Sequence, residues 1–198
     1  MANKNTKQHK KMKNTKQLQK IGNALQNLFK NDEFLLKEDA NERTITHKLA
    51  SHLQKEFQKY TVDVEYNRMK NRENDERTTK KIERIKQQTE KQEDCWGKIK
   101  PEDTNAKTIY PDIIVHQRNT NNNLIAIEIK KSNNSDKICD IAKLQGYKNQ
   151  FNYDTTIFLK LKVNEEKTNT DYIAEAIEIK KENDEQPEDI TTQMKSKI

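Results

Sequence analysis

Between residues 15 and 30, Leu18, Ile21, Leu25 and Leu28 recur at intervals of three and four, the spacing that lines one face of a helix. Such a helix packs on the rest of the domain or on a second copy of it. Residues 41–60 repeat the pattern, with Ile45, Leu49, Leu53 and Phe57 on one stripe. The period then drops to two. Val62, Val64 and Tyr66 alternate with Asp63, Glu65 and Asn67, predicting a half-buried strand that ends at Arg68. Pro111-Asp112-Ile113-Ile114-Val115-His116 predicts a second strand, with proline tolerated because it comes first. In residues 124–130, Ile125, Ile127 and Ile129 take one face of a third strand while Ala126, Glu128 and Lys130 take the other. The polar, Asn-rich residues 117–123 join these two strands as a turn, giving an antiparallel hairpin. A capped helix follows from Asp136, with Ile138, Ile141 and Leu144 inward and Phe151 closing it. Residues 155–161, β-branched and aromatic, form a last strand. The order helix, strand, strand, strand, helix, strand predicts an α/β fold of the α+β type, a mixed central sheet flanked by helices.

Residues 69–100 break this pattern. Acids and bases interleave there, and Ile82, Ile85 and Trp96 are almost the only large apolar residues. Glu, Lys, Arg and Gln favour a solvent-exposed helix held by charge pairs, so this stretch reads as an insertion between the first and second strands. It reads as a plain solvated helix or, alternatively, as a mobile flap or a DNA-facing arm. The chain of 198 residues has room for one domain with extensions, and 35% charged against 31% hydrophobic residues requires exposed helices or tails. Three parts follow: a basic, disordered tail at 1–14, a domain at 15–180 that includes the insertion, and a polar C-terminal tail at 181–198.

The net charge of +6 is unevenly spread. Lys4, Lys7, Lys10, Lys11, Lys13, Lys16 and Lys20 stand in the first twenty residues with no acid, so the remainder carries −1. Such an arm neutralises phosphates, with Lys10, Lys11 and Lys13 as candidate contacts, or is simply a solvated start of the chain. No apolar run is long enough for a membrane span and none follows the lysines as in a signal peptide, which predicts a cytoplasmic protein. Cys95 and Cys139 form no zinc pattern and are expected to be reduced, and the four histidines show no zinc-ligand spacing. His116, at a strand end, is a minor candidate for a phosphate contact.

Chemistry concentrates on the predicted hairpin. Asp112, at the start of one strand, lies opposite the end of the next, where Glu128 and Lys130 share a face. Two acids this close repel each other and call for a cation or a raised pKa. Mg²⁺, which takes oxygen ligands and keeps several waters, meets that need. Glu42 precedes Ile45 by three and Leu49 by seven, so it belongs to the apolar stripe of its helix. A buried carboxylate there needs a metal or a lysine such as Lys130; the alternative is an acid favouring the helix dipole from an exposed first turn.

Pro111-Asp112 and Glu128-Ile129-Lys130, with fifteen residues between the two acids, resemble the motifs of the PD-(D/E)XK nuclease superfamily, the restriction-endonuclease-like fold. The resemblance covers residues 40–161, with Glu42 as the further acid of the preceding helix. It implies a Mg²⁺-dependent nuclease, with Mn²⁺ as a substitute, acting on phosphodiester bonds of nucleic acid, DNA above all, as an endonuclease. Asp112, Glu128 and the Ile129 carbonyl would ligate the metal, Lys130 would orient or help deprotonate the attacking water, and Glu42 would hold a second metal or a bound water. Lys131, on the other strand face, is a lesser candidate. Arg68 is a candidate phosphate contact, and a homodimer suits cleavage of both strands of a duplex. On the later helix, Gln145 and Tyr147 are secondary candidates, two residues apart where the superfamily spacing differs. Two alternatives stay open: a nucleic-acid-binding module of the same fold with little catalysis, and a helical interaction protein for which the hairpin is only a scaffold. Ala176-Ile177-Glu178-Ile179-Lys180-Lys181 nearly repeats residues 126–131 but has Lys162, not an Asp, at the corresponding upstream position. Tyr172, Ala176 and Ile177 also suit a helix, so the copy reads as structural.

Overall fold

The computed structural model describes residues 2–70, 77–79, 81–83, 106–108, 110–135, 137–165, 169–181 and 186–198. Three helices come first, α1 (Ala2–Asn31), α2 (Glu33–Lys37) and α3 (Glu42–Glu56). Strand β1 (Thr61–Val64) precedes four short strands, β2 (Arg68–Lys70), β3 (Arg77–Thr79), β4 (Lys81–Glu83) and β5 (Ala106–Thr108). The predicted hairpin is β6 (Ile113–His116) and β7 (Asn123–Lys131), followed by α4 (Ile138–Asn149) and β8 (Thr155–Leu161). A 3-10 turn (Asn169–Tyr172), β9 (Ile173–Glu178), β10 (Glu188–Asp189) and α5 (Thr191–Lys195) complete the described chain.

Six strands form one mixed sheet in the order β1-β6-β7-β8-β9-β10. Neighbours run antiparallel except β7 and β8, which are parallel because α4 carries the chain back across the sheet between them. The period-2 faces of β7 hold. Ile125, Ile127 and Ile129 pack with Ile113, Val115, Ile157 and Leu159 against Leu18, Ile21, Leu25 and Leu28 of α1 and the stripe of α3. On the other face Ala126, Ile114 and Phe158 meet Leu144 and Tyr147 of α4, and Tyr153. Covered on both sides, β7 is buried from Leu124 to Ile129, and Glu128 lies inside that run.

The ends of the chain differ from expectation. Helix α1 starts at Ala2, so residues 2–14 are helical where a disordered tail is predicted, and it packs on the domain itself. Lysine and glutamine tolerate a helix well, and two distant partners hold its amino-terminal half. Lys13 pairs with Asp154 at 2.6 Å, and Asn14 Nδ2 donates to both carboxylate oxygens of Glu178 at 3.0 and 3.2 Å. The predicted polar C-terminal tail contains β10 and α5, which bury Ile190 and Met194 against the main core. The last residues lie across α1 at Gly22, where a Cβ would stand 2.5 Å from Lys197 Cβ and 2.7 Å from its carbonyl oxygen.

Three further expectations are corrected. The near-copy of the motif is a strand, β9, with Glu178 buried and bonded to Asn14 and Lys180; cross-strand pairing with β8 overrides any local helical tendency. Helix α4 is rotated from its predicted phase: Leu144 is buried, but Ile138 is 38% exposed and Asp140 is buried instead. Cys139 is disulfide-bonded, where a reduced thiol is expected. Of the insertion at 69–100, the described residues 69–70, 77–79 and 81–83 are strands, and the rest of the predicted exposed helix lies outside the described residues. Among the described residues no helix is long and apolar enough to cross a membrane.

Candidate active site

The hairpin brings its two acids together at the end of β6. Residue pairing runs from Val115 and Ile125 to Ile113 and Ile127, after which β6 stops and β7 continues. Asp112 takes over where the ladder ends, and its Oδ2 accepts the Ile129 N–H at 2.7 Å. A residue's N–H and C=O point to the same side of a strand, so the Ile129 carbonyl also faces the edge beyond the end of β6. Glu128 and Lys130 then project from β7 on the α4 side.

Glu128 is completely buried. Its Oε2 accepts from Lys143 Nζ at 2.9 Å, while Oε1 has no hydrogen-bond partner. Lys143 comes from α4 and also donates to Asp140 Oδ1 at 2.9 Å, one turn earlier on that helix. Asp140 Oδ2 in turn pairs with Lys130 Nζ at 3.3 Å. Lys130 reaches Glu42 Oε1 at 3.5 Å, and the other oxygen of Glu42 accepts the Lys131 backbone N–H at 3.2 Å. Glu42 is the first residue of α3, whose start is capped by Asn41 accepting from the Arg43 N–H. Helix position and strand end thus bring one acid from α3, two from the hairpin and one from α4 into a single network with two lysines.

Burial sets the electrostatics. It pushes the Asp112 carboxyl up to about 6, against the opposing effects of the Ile129 N–H and the Lys143 charge. Burial, and next the Asp112 charge, hold Glu128 well above the usual carboxylate range. Burial disfavours the Lys130 ammonium, but Asp140 and Glu42 more than offset it, so Lys130 is held more firmly protonated than a free lysine. Lys143 follows the same logic through Glu128 and Asp140. The Tyr147 hydroxyl is buried with no hydrogen-bond partner, and burial, followed by the charge of Glu128, raises its pKa strongly.

The donor set fits a hard divalent cation. Mg²⁺ is commonly held by one or two carboxylates and keeps several waters. Asp112, the unpartnered Oε1 of Glu128 and the Ile129 carbonyl offer such a partial shell, and two adjacent carboxylates resisting ionisation gain from a positive ion. Among the described residues there is no group of three or more His, Cys, Asp or Glu arranged to hold a metal.

The sequence-predicted residues divide clearly. Asp112, Glu128, Ile129, Lys130 and Glu42 converge. Lys131 turns away to pair with Asp39 at 2.7 Å. His116 is buried and paired with Asp63 at 2.8 Å, beside Arg118, rather than placed for a phosphate. Lys13 is paired with Asp154, and the side chains of Lys10, Lys11 and Arg68 lie outside the described residues. Sequence reasoning assigned no role to Asp140 or Lys143. The signal was present as Asp140, Lys143 and Tyr147, spaced three and four apart on one helical stripe. Comparison of the chain with protein-family models, curated proteins and solved structures finds no match.

Proposed function

We propose that this chain is a metal-dependent nuclease that hydrolyses phosphodiester bonds, with DNA as the favoured substrate, on a core of restriction-endonuclease-like topology. The observation that carries the reading is the meeting of Asp112 with a buried Glu128 whose Oε1 has no partner, beside the Lys130 ammonium. The order of α3, β1, β6, β7, α4 and β8, with these strands in one mixed sheet, supports this reading.

In this reading Asp112, Glu128 and the Ile129 carbonyl would hold Mg²⁺, which would supply Lewis acidity for phosphodiester hydrolysis. Asp112 must release its proton to bind the ion, and its raised pKa makes that release part of metal binding. Lys130 keeps its proton, so it serves by donating to the attacking water or to a phosphate oxygen and by offsetting charge as the pentacovalent centre forms. Glu42 and Asp140 hold the Lys130 ammonium in place from two sides.

The test is a cleavage panel on linear, circular, single-stranded and branched DNA and on RNA, with Mg²⁺ or Mn²⁺ and with EDTA as control. Cleavage that needs the metal and is lost in Asp112→Ala and Lys130→Ala supports the proposal; full rate in either variant refutes it. One observation favours a second reading, a binding module with little catalysis: Lys143 already gives Glu128 a cationic partner without any metal. Nucleic-acid binding with no cleavage under either metal would select it.

A further inference from the structure

Lys143 and the Tyr147 hydroxyl remain unused by that mechanism. Lys143 sits between Glu128 Oε2 and Asp140 Oδ1 at 2.9 Å from each, the bridging position a cation takes between two carboxylates. Two buried oxygens nearby, Glu128 Oε1 and the Tyr147 hydroxyl, have no hydrogen-bond partner. Buried polar atoms of this kind call for an ion or a water. We propose that Lys143 is a built-in cation that takes the position of a second divalent ion between Glu128 and Asp140, so that the site binds a single divalent ion on the Asp112 side. The proposal rests on the metal-dependent reading above and specifies its stoichiometry.

Charge and geometry agree on this number. With all four carboxylates ionised, as ion binding requires, Glu42, Asp112, Glu128 and Asp140 carry four negative charges against the two ammonium groups of Lys130 and Lys143, which leaves two for one divalent ion to neutralise. A second ion at this position would have to displace the ammonium from both of its carboxylates. Without Lys143 the excess rises to three negative charges, and Glu128 Oε2 and Asp140 Oδ1 lose their shared partner. Lys143 is a positioning residue in this account, because it acts on the ion through Glu128 and touches no reacting atom. Its ammonium also keeps Oε2 occupied, which leaves Oε1 as the Glu128 oxygen open to the ion held with Asp112.

The experiment counts Mn²⁺ bound to the full chain, by isothermal calorimetry and by the free-Mn²⁺ signal in electron paramagnetic resonance. The wild type is expected to bind one ion. Lys143→Met is expected to bind two, with the first tightened roughly tenfold or more as a nearby positive charge is removed. Adding Asp140→Asn to Lys143→Met should return the count to one. Two ions on the wild type, or one ion at unchanged affinity on Lys143→Met, overturns the proposal and leaves the metal-dependent reading intact. No Mn²⁺ on the wild type overturns both. Should Lys143→Met not fold, Lys143→Gln is counted in its place, and the wild-type count stands as a test by itself.

Discussion

Asp112→Asn is expected to make the metal-free protein more stable at neutral pH, at the expense of the proposed metal site. Burial raises the Asp112 carboxyl from 3.8 to about 6, so the folded state holds this proton more tightly than the unfolded chain does. As pH rises between these two values, the unfolded chain loses its proton first, and stability falls through that window. Above pH 6 the cost is complete; below 3.8 it is absent. At about 1.4 kcal/mol per pH unit, keeping this charge in place costs on the order of 3 kcal/mol at pH 7.5 and about 1 kcal/mol at pH 4.5. Asparagine removes the charge and keeps an oxygen for the Ile129 N–H, so the variant should gain most of that difference. For a chain of this size the gain corresponds to a rise in Tm of about 6–12 °C. Urea denaturation of both proteins in EDTA, at pH 7.5 and 4.5, measures it directly, with an unchanged m-value as the check on the unfolded state. A variant no more stable than wild type at pH 7.5, or a gain that does not shrink at pH 4.5, would refute the reasoning. Mg²⁺ should then raise the midpoint of the wild type and leave that of Asp112→Asn nearly unmoved.

Other sites give independent checks. Gly22→Ala should destabilise by about 1–3 kcal/mol, seen as a lower urea midpoint, because the new methyl would meet the Lys197 backbone. Leu25→Ala, at a completely buried position of α1, should cost about 2–5 kcal/mol; a loss below 0.5 kcal/mol would mean that α1 is not part of the core. Glu178→Gln, which weakens the bonds to Asn14 and Lys180, should cost about 1–3 kcal/mol while metal-dependent cleavage keeps its wild-type rate, since this near-copy of the motif lies outside the site.

Much of the site was legible because it rests on local geometry. Alternation along residues 124–130 needs no partner to put Glu128 and Lys130 on one face, and a tight hairpin sets Asp112 opposite them. Glu42 was legible through helical phase, since residues three and four apart share a face. The α4 contribution was not. Its apolar residues Ile138, Ile141 and Leu144 predict one phase, but the helix turns Asp140 inward, because Asp140 and Lys143 find partners on β7 that are absent from their own neighbourhood. The amino-terminal half of α1 was misread for the same reason: its anchors, Asp154 and Glu178, lie about 140 and 164 residues away.

The sequence alone determined the class of the elements and the pairing of Asp112 with Glu128 and Lys130, because periodicity and turn chemistry act over a few residues. Tertiary structure decided the rest. It set β8 parallel to β7, made the near-copy at Glu178 a strand, packed α1 and the carboxyl-terminal segment onto the domain, and closed the acid cluster with Asp140 and Lys143. Each of these depends on burying a surface or compensating a charge supplied by a distant part of the chain, and no local pattern records which distant part that is.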